Sequence, residues 1–161
     1  MISKHSVVIA DPVRTAIATF GGTSKDIPAT KLGATVIPGG LQRPGPRPDD
    51  IGAVVMGNAV QAGNKTNPAR QAAIDAGLLV QIPSMTVNRI GGSGAQAIVS
   101  TAHEILMGSL DAAVAGGMGI WTQLRIAVEP GLFGVGPRDN RLAPCRNFHS
   151  SAAMTPQGES P

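Results

Sequence analysis

The residues best placed to do chemistry are Gly91, Gly92, Ser93, Gly94 and Ala95, which stand between an apolar stretch and a longer run rich in alanine and isoleucine. A glycine turn that ends a strand and opens a helix presents unpaired backbone amides and the positive end of the helix dipole. It therefore favours a phosphate, an oxyanion or a thiolate. Gly92-Ser93-Gly94-Ala95-Gln96-Ala97 fits G-x-G-x-x-A, the dinucleotide fingerprint, and Asp111 lies about twenty residues on. Asp111, however, precedes the next strand-like run, whereas the ribose-binding acid of that fingerprint follows its strand. Gly91 to Ala95 is also one residue away from G-x-S-x-G, the nucleophile elbow, and Ser93, Asp139 and His149 occur in the hydrolase order. Asp139 and His149 fall where no periodic element holds them. A plainer role for Ser93 is the helix N-cap, its oxygen accepting from first-turn amides.

Other reactive groups are sparse. Cys145 is the sole cysteine, so no intrachain disulfide can form. His5, His103 and His149 show no ligand spacing, and no metal site is expected. The 13 Lys and Arg are scattered and give a net charge of only +3, which does not suggest a nucleic-acid partner. No apolar run approaches the roughly 18 residues of a membrane span, and "MISKHSVVIADP" is too short a run for a secretory signal. A soluble cytoplasmic protein without membrane contact is expected.

The elements around the turn read as alternating strands and helices. Ser6–Asp11 is a β-branched run ended by Pro12, a first strand. "ATKLGATVI" begins a helix with Leu32, Val36 and Ile37 on one face, and Pro38, Gly39 and Gly40 should stop it. "IGAVVMGNAV" is a buried strand. "NPARQAAIDAGL" has Asn67 as cap, Pro68 at the first helical position and Gly77 past the end. "PSMTVNRI" is a third strand. The strongest helix follows, with Ala95, Ile98, Val99, Ala102, Ile105 and Leu106 at helical spacing, and Gly108 as its stop. "DAAVAGG" is a fourth strand. Alternation of this kind implies an α/β unit with a mixed, mostly parallel sheet. Past Met118 no period of either kind persists, so the organised chain is expected over 1–118, followed by an aperiodic, disordered tail at 119–161.

The blocks "MGNAVQAGNKTNPARQAAIDAGL", "PSMTVNRIGGSGAQAIVSTAHEI" and "DAAVAGGM", together with "VVIADPVRTAIATFGGTSKDIPATKLGATVI", resemble the N-terminal portion of the thiolase family, acetyl-CoA acetyltransferases among them. The resemblance runs in the family's order from about residue 6 to residue 118. It implies the N-terminal half of a thiolase-like fold with a central helix buried against the sheet. It also implies acyl transfer between acyl-CoA molecules in fatty acid metabolism, with coenzyme A thioesters as substrates and no bound cofactor. In thiolases the residue before the Gly92-Ser93-Gly94 turn is the cysteine that accepts the acyl group, with the helix start serving as oxyanion region. Here that position is Gly91. The "QAGNKTNPARQ" region lies near the dimer contact in thiolases, which makes Gln61, Asn67 and Arg70 candidate contacts. Their plainer reading is a solvated loop and a helix start.

Several departures accompany the resemblance. With the sulfur lost at residue 91 and the family's second-half motifs absent, the chain is expected to be truncated and inactive. A non-catalytic subunit acting on a partner, a second copy or an intact thiolase, is the competing expectation. Standing alone, it should expose the far side of its central helix and associate. The tail has a specific candidate origin. Ile120 to Ile126 can be encoded by ATATGGACTCAGCTCCGTATC, whose internal ATG opens Met-Asp-Ser-Ala-Pro-Tyr, a segment expected of the family after "AGGM". A reading-frame shift near Met118 accounts for both facts. Sequencing the gene across codons 118 to 126 should recover that alternative reading, and codons that exclude it would refute the shift.

Overall fold

The structure, a computed structural model, describes residues 6–42, 46–61 and 64–120. Three strands form its sheet: β1 (Ala53–Gly57), β2 (Ser84–Val87) and β3 (Ala113–Gly117), in the order β2-β1-β3. Both pairings are parallel, with Met56 opposite Thr86 on one side and Gly116 on the other. All five residues of β1 are buried. A central parallel strand is covered on both faces, so its sequence is a continuous apolar run with no polar alternation.

Helices α1 (Ala29–Leu41) and α2 (Pro68–Asp75) lie on one face, where Val54 and Met56 pack with Ala29, Ile37, Ala69 and Ala72. Helix α3 (Ser93–Leu106) lies on the other, against Gly57 and Gly117. Helix α2 forms for local reasons. The Asn67 carboxamide oxygen accepts from the Arg70 amide at 3.1 Å, Pro68 needs no amide partner, and Gly77 takes φ 81° beyond the end.

Helix α1 departs from its expected end. It continues through Pro38 to Leu41, and the Gln42 amide donates to the Pro38 carbonyl at 3.0 Å. Ile37 is buried and Leu41, one turn on, packs partly against the same core. Tertiary anchorage on both sides of the proline outweighs the lost hydrogen bond. Its buried stripe also differs: Ala29, Thr30, Gly33, Ala34 and Ile37 face inward, while Leu32 and Val36 are only half-buried. The two helices approach too closely for larger residues. A Cβ on Gly33 would stand 3.1 Å from the Ala72 methyl and 2.8 Å from the Met118 sulfur.

The expected first strand is not formed. Residues 6–11 take no place in the sheet, and Val8 and Ile9 are 79% and 70% exposed. A β-branched run becomes a strand only beside a free edge, and among the described residues no edge lies against this one. The tail from residue 121 lies outside the described residues.

Helix α3 meets the sheet through small residues. Ser93, Ala97 and Thr101, spaced one turn apart, are its buried positions. The apolar stripe noted in the sequence points away, leaving Ile98, Val99 and Leu106 at 38%, 45% and 47% exposure. Contiguous apolar surface of this kind drives association in water. Sedimentation of the 161-residue chain should show oligomers or aggregates; a monodisperse monomer with a cooperative thermal transition would contradict that.

Candidate functional site

At the C-terminal ends of the three parallel strands is a cavity of about 310 Å³. Each strand contributes its end or the segment that leaves it: Gly57, the last residue of β1, with Ala59 and Val60; Ile90 and Gly91 after β2; and Gly117, the last residue of β3, through to Ile120. Ser93 and Gly94, at the start of α3, complete the wall. Open parallel sheets bind ligands at this end, because the loops and helix N-termini converge there.

Glycines make the convergence possible. A Cβ on Gly57 would fall 2.3 Å from the Ser93 carbonyl carbon, and one on Gly117 would fall 3.1 Å from the Gly94 Cα. The first turn of α3 therefore rests directly on the backbones of β1 and β3. Gly91 is different. It is exposed, a Cβ there would meet nothing within 4 Å, and its φ lies outside the left-handed range. A side chain at residue 91 would stand unstrained at the cavity mouth, one residue before Gly92, the N-cap of α3.

Ser93 does not cap the helix as its sequence position suggested. The helix begins one residue earlier than a Ser93 cap requires, with Gly92 as N-cap and no side-chain cap bond. Being inside the first turn, the hydroxyl points back to the loop. It accepts from the Arg89 amide at 2.9 Å and donates to the Ile90 carbonyl at 2.6 Å. At 4% exposure and with both functions engaged, it is a poor nucleophile. Its suggested partners Asp139 and His149 lie outside the described residues. Asp111 precedes β3, at the end of the sheet opposite the cavity, which removes the acid that a dinucleotide site needs.

Two residues of this turn were missed in the sequence. Asn88 bridges the loops after β1 and β2: its amide nitrogen donates to the Ala59 carbonyl at 2.9 Å, and its oxygen accepts from the Ile90 amide at 3.0 Å. Ile90 holds φ 48°, which for a β-branched residue costs on the order of 1–3 kcal/mol. An Asn two residues before a glycine turn is a signal for such an Asx bond. The signal for Ile90 does not exist in sequence, since nothing about isoleucine announces a left-handed backbone.

The candidate contacts Gln61, Asn67 and Arg70 make bonds within the chain. Gln61 donates to the Asn58 carbonyl at 3.3 Å. Asn67 donates to the Ser84 carbonyl at 2.9 Å and accepts from the Thr86 hydroxyl at 2.8 Å, so the α2 cap is also tied to β2. The Arg70 guanidinium donates to the carbonyls of Val80 and Ile82. Asn58, wholly buried next to Gly57, has no partner for either side-chain polar atom among the described residues.

Electrostatics at the cavity come from backbone alone, since none of its lining side chains titrates. The shifted pair among the described residues is elsewhere and exposed: a hydrogen bond from Arg47 holds the Asp50 carboxyl below its usual range. No three His, Cys, Asp or Glu side chains among the described residues could hold a metal, and no described helix is long and apolar enough to cross a membrane.

Comparison with known proteins decides the family. The family described as thiolase, N-terminal domain, matches residues 7–133. The chain belongs to the thiolase family. An acetyl-CoA acetyltransferase of Cupriavidus necator is 47% identical over 111 residues, covering 69% of this chain and 28% of that protein. A beta-ketothiolase of the same organism is 47% identical over 118 residues, covering 70% and 29%. Among solved structures, the Bacillus anthracis acetyl-CoA acetyltransferase superposes with a TM-score of 0.71 at 32% identity, over 78% of this chain and 32% of that one. The chain thus spans about a third of the length of the thiolases it matches, and it carries the α/β fold of their N-terminal portion.

Because the thiolase α3 start rests on bare backbone, Gly57→Ala should lower the thermal midpoint and soluble yield, at a cost of about 3 kcal/mol. Gly91→Ala, into open space, should leave both within about 0.5 kcal/mol of the parent. Equal effects from the two substitutions would show that the helix is not seated as described.

Proposed function

We propose that this chain is the N-terminal portion of a thiolase-type acyl-CoA acyltransferase in which residue 91, the acyl-accepting position, is glycine, and that the chain as it stands does not turn over. The observation that carries this reading is the open space at Gly91, at the mouth of the cavity and one residue before the N-cap of α3. A thiolate there would be favoured by the helix dipole and free amides, and the backbone of the same turn would face the oxygen of an acyl group. Gly91, Gly92, Ser93 and Gly94 are in this reading the nucleophile position and the oxyanion region. Coenzyme A thioesters are the substrate class, no separate cofactor is required, and the cytoplasm is the compartment.

Covalent transfer also needs a base and a proton donor. No cavity-lining residue supplies either, and the Ser93 hydroxyl is tied to Arg89 and Ile90. A second reading is favoured by the exposed stripe at Ile98, Val99 and Leu106: a non-catalytic subunit that covers this face with a second copy or with an intact thiolase. Gln61, Asn67 and Arg70, held in place by bonds within the chain, are the candidate contacts in this reading.

Cleavage of acetoacetyl-CoA by coenzyme A measures the first reading. The 161-residue chain should show no thiolysis above background. Gly91→Cys should gain a thiol alkylated by iodoacetamide faster than Cys145, still without turnover. Thiolysis by the unmodified chain would overturn this assignment and return Ser93 to candidacy. Co-purification with an intact thiolase would favour the subunit reading.

A further inference from the structure

The turn between β2 and α3 holds a left-handed isoleucine, and the bonds that hold it are specific. Ile90 is 69% exposed, so packing of its side chain does not enforce φ 48°. Its amide is instead taken by the Asn88 carboxamide, and its carbonyl receives both the Ser93 hydroxyl and the Ser93 amide. Asn88 is fixed in turn to the Ala59 carbonyl, across the cavity wall, and Ser93 to the Arg89 amide. A β-branched residue left free would relax to negative φ. The peptide that follows it is the one that presents residue 91.

We propose that Asn88 and Ser93 are positioning residues: together they clamp Ile90 in the left-handed region and so set residue 91 at the cavity mouth, in line with the first amides of α3. The proposal rests on reading residue 91 as the acyl-accepting position. Two side chains, one before the turn and one at the start of α3, fix the peptide units on either side of Ile90, and a turn that only had to connect a strand to a helix would use glycine at residue 90.

Two measurements test it. In a Gly91→Cys background, the pH profile of iodoacetamide alkylation should place the thiol below the ordinary cysteine range. Adding Asn88→Ala or Ser93→Ala should move it back, slowing alkylation at neutral pH roughly tenfold, the change in thiolate that follows about one pKa unit. A profile unmoved by either substitution overturns the proposal. The second measurement needs no nucleophile. In the otherwise unmodified chain, Ile90→Gly should raise the thermal midpoint, and that rise should vanish when Asn88→Ala or Ser93→Ala has already released the clamp. Equal rises in all backgrounds overturn the clamp while leaving the assignment of residue 91 standing. Vanishing rises beside an ordinary Gly91→Cys thiol overturn that assignment, and the positioning role with it.

Discussion

The seating of the α3 N-terminus on Gly57 and Gly117 is the contact on which the rest of the described structure depends. Helix and sheet normally meet through a layer of side chains. Here the Ser93 carbonyl crowds the place of a Cβ on Gly57, and the Gly94 Cα leaves only a tight 3.1 Å to one on Gly117. That approach brings the helix start to the ends of the strands, gathers three loops around one cavity, and leaves the dipole of a 14-residue helix aimed at its mouth. It also selects the rest of the inner face of α3. Once the first turn touches backbone, the following turns have room only for Ala97 and Thr101, and the larger residues must go outward.

The same logic holds on the opposite face of the sheet. Gly33 and Ala72 let α1 and α2 cross closely over Met56 and Met118, and the flexible thioethers fill what the small residues leave. The chain has only 2% aromatic residues and 21 glycines, and the two close contacts explain how such a composition still builds a core. Packing depends on proximity of backbones here, with few large side chains to fill gaps.

What was legible in the sequence follows from how local each cause is. Asn67, Pro68 and Gly77 act on their own helix, so α2 could be read directly. The buried run of β1 and the glycine turn before α3 were equally local. The strand expected at residues 6–11 failed because a strand is a property of a pair, and its partner cannot be read from its own residues. Pro38 was read as a stop because the anchors on either side of it, Ile37 and Leu41, act through tertiary contacts. The role of Ser93 turned on a single residue of helix phase: at the cap it would serve the helix, and one position inside it serves the loop behind. The clamp formed by Asn88 was half visible, as an Asx signal whose second bond, to Ala59, crosses 29 residues of chain.

A side-chain Cβ at residue 91 would meet nothing, and this separates two things that usually fail together. In most sites the reactive side chain is also a packing element, so its loss is felt as instability and the chain is cleared by the machinery that degrades unfolded protein. At this position the architecture is indifferent to the occupant. On the reading proposed for residue 91, a sulfur could be lost here without any signal that quality control could detect, and the shape of the site would then persist as a silent copy, able to be inherited, expressed and mistaken for the working form.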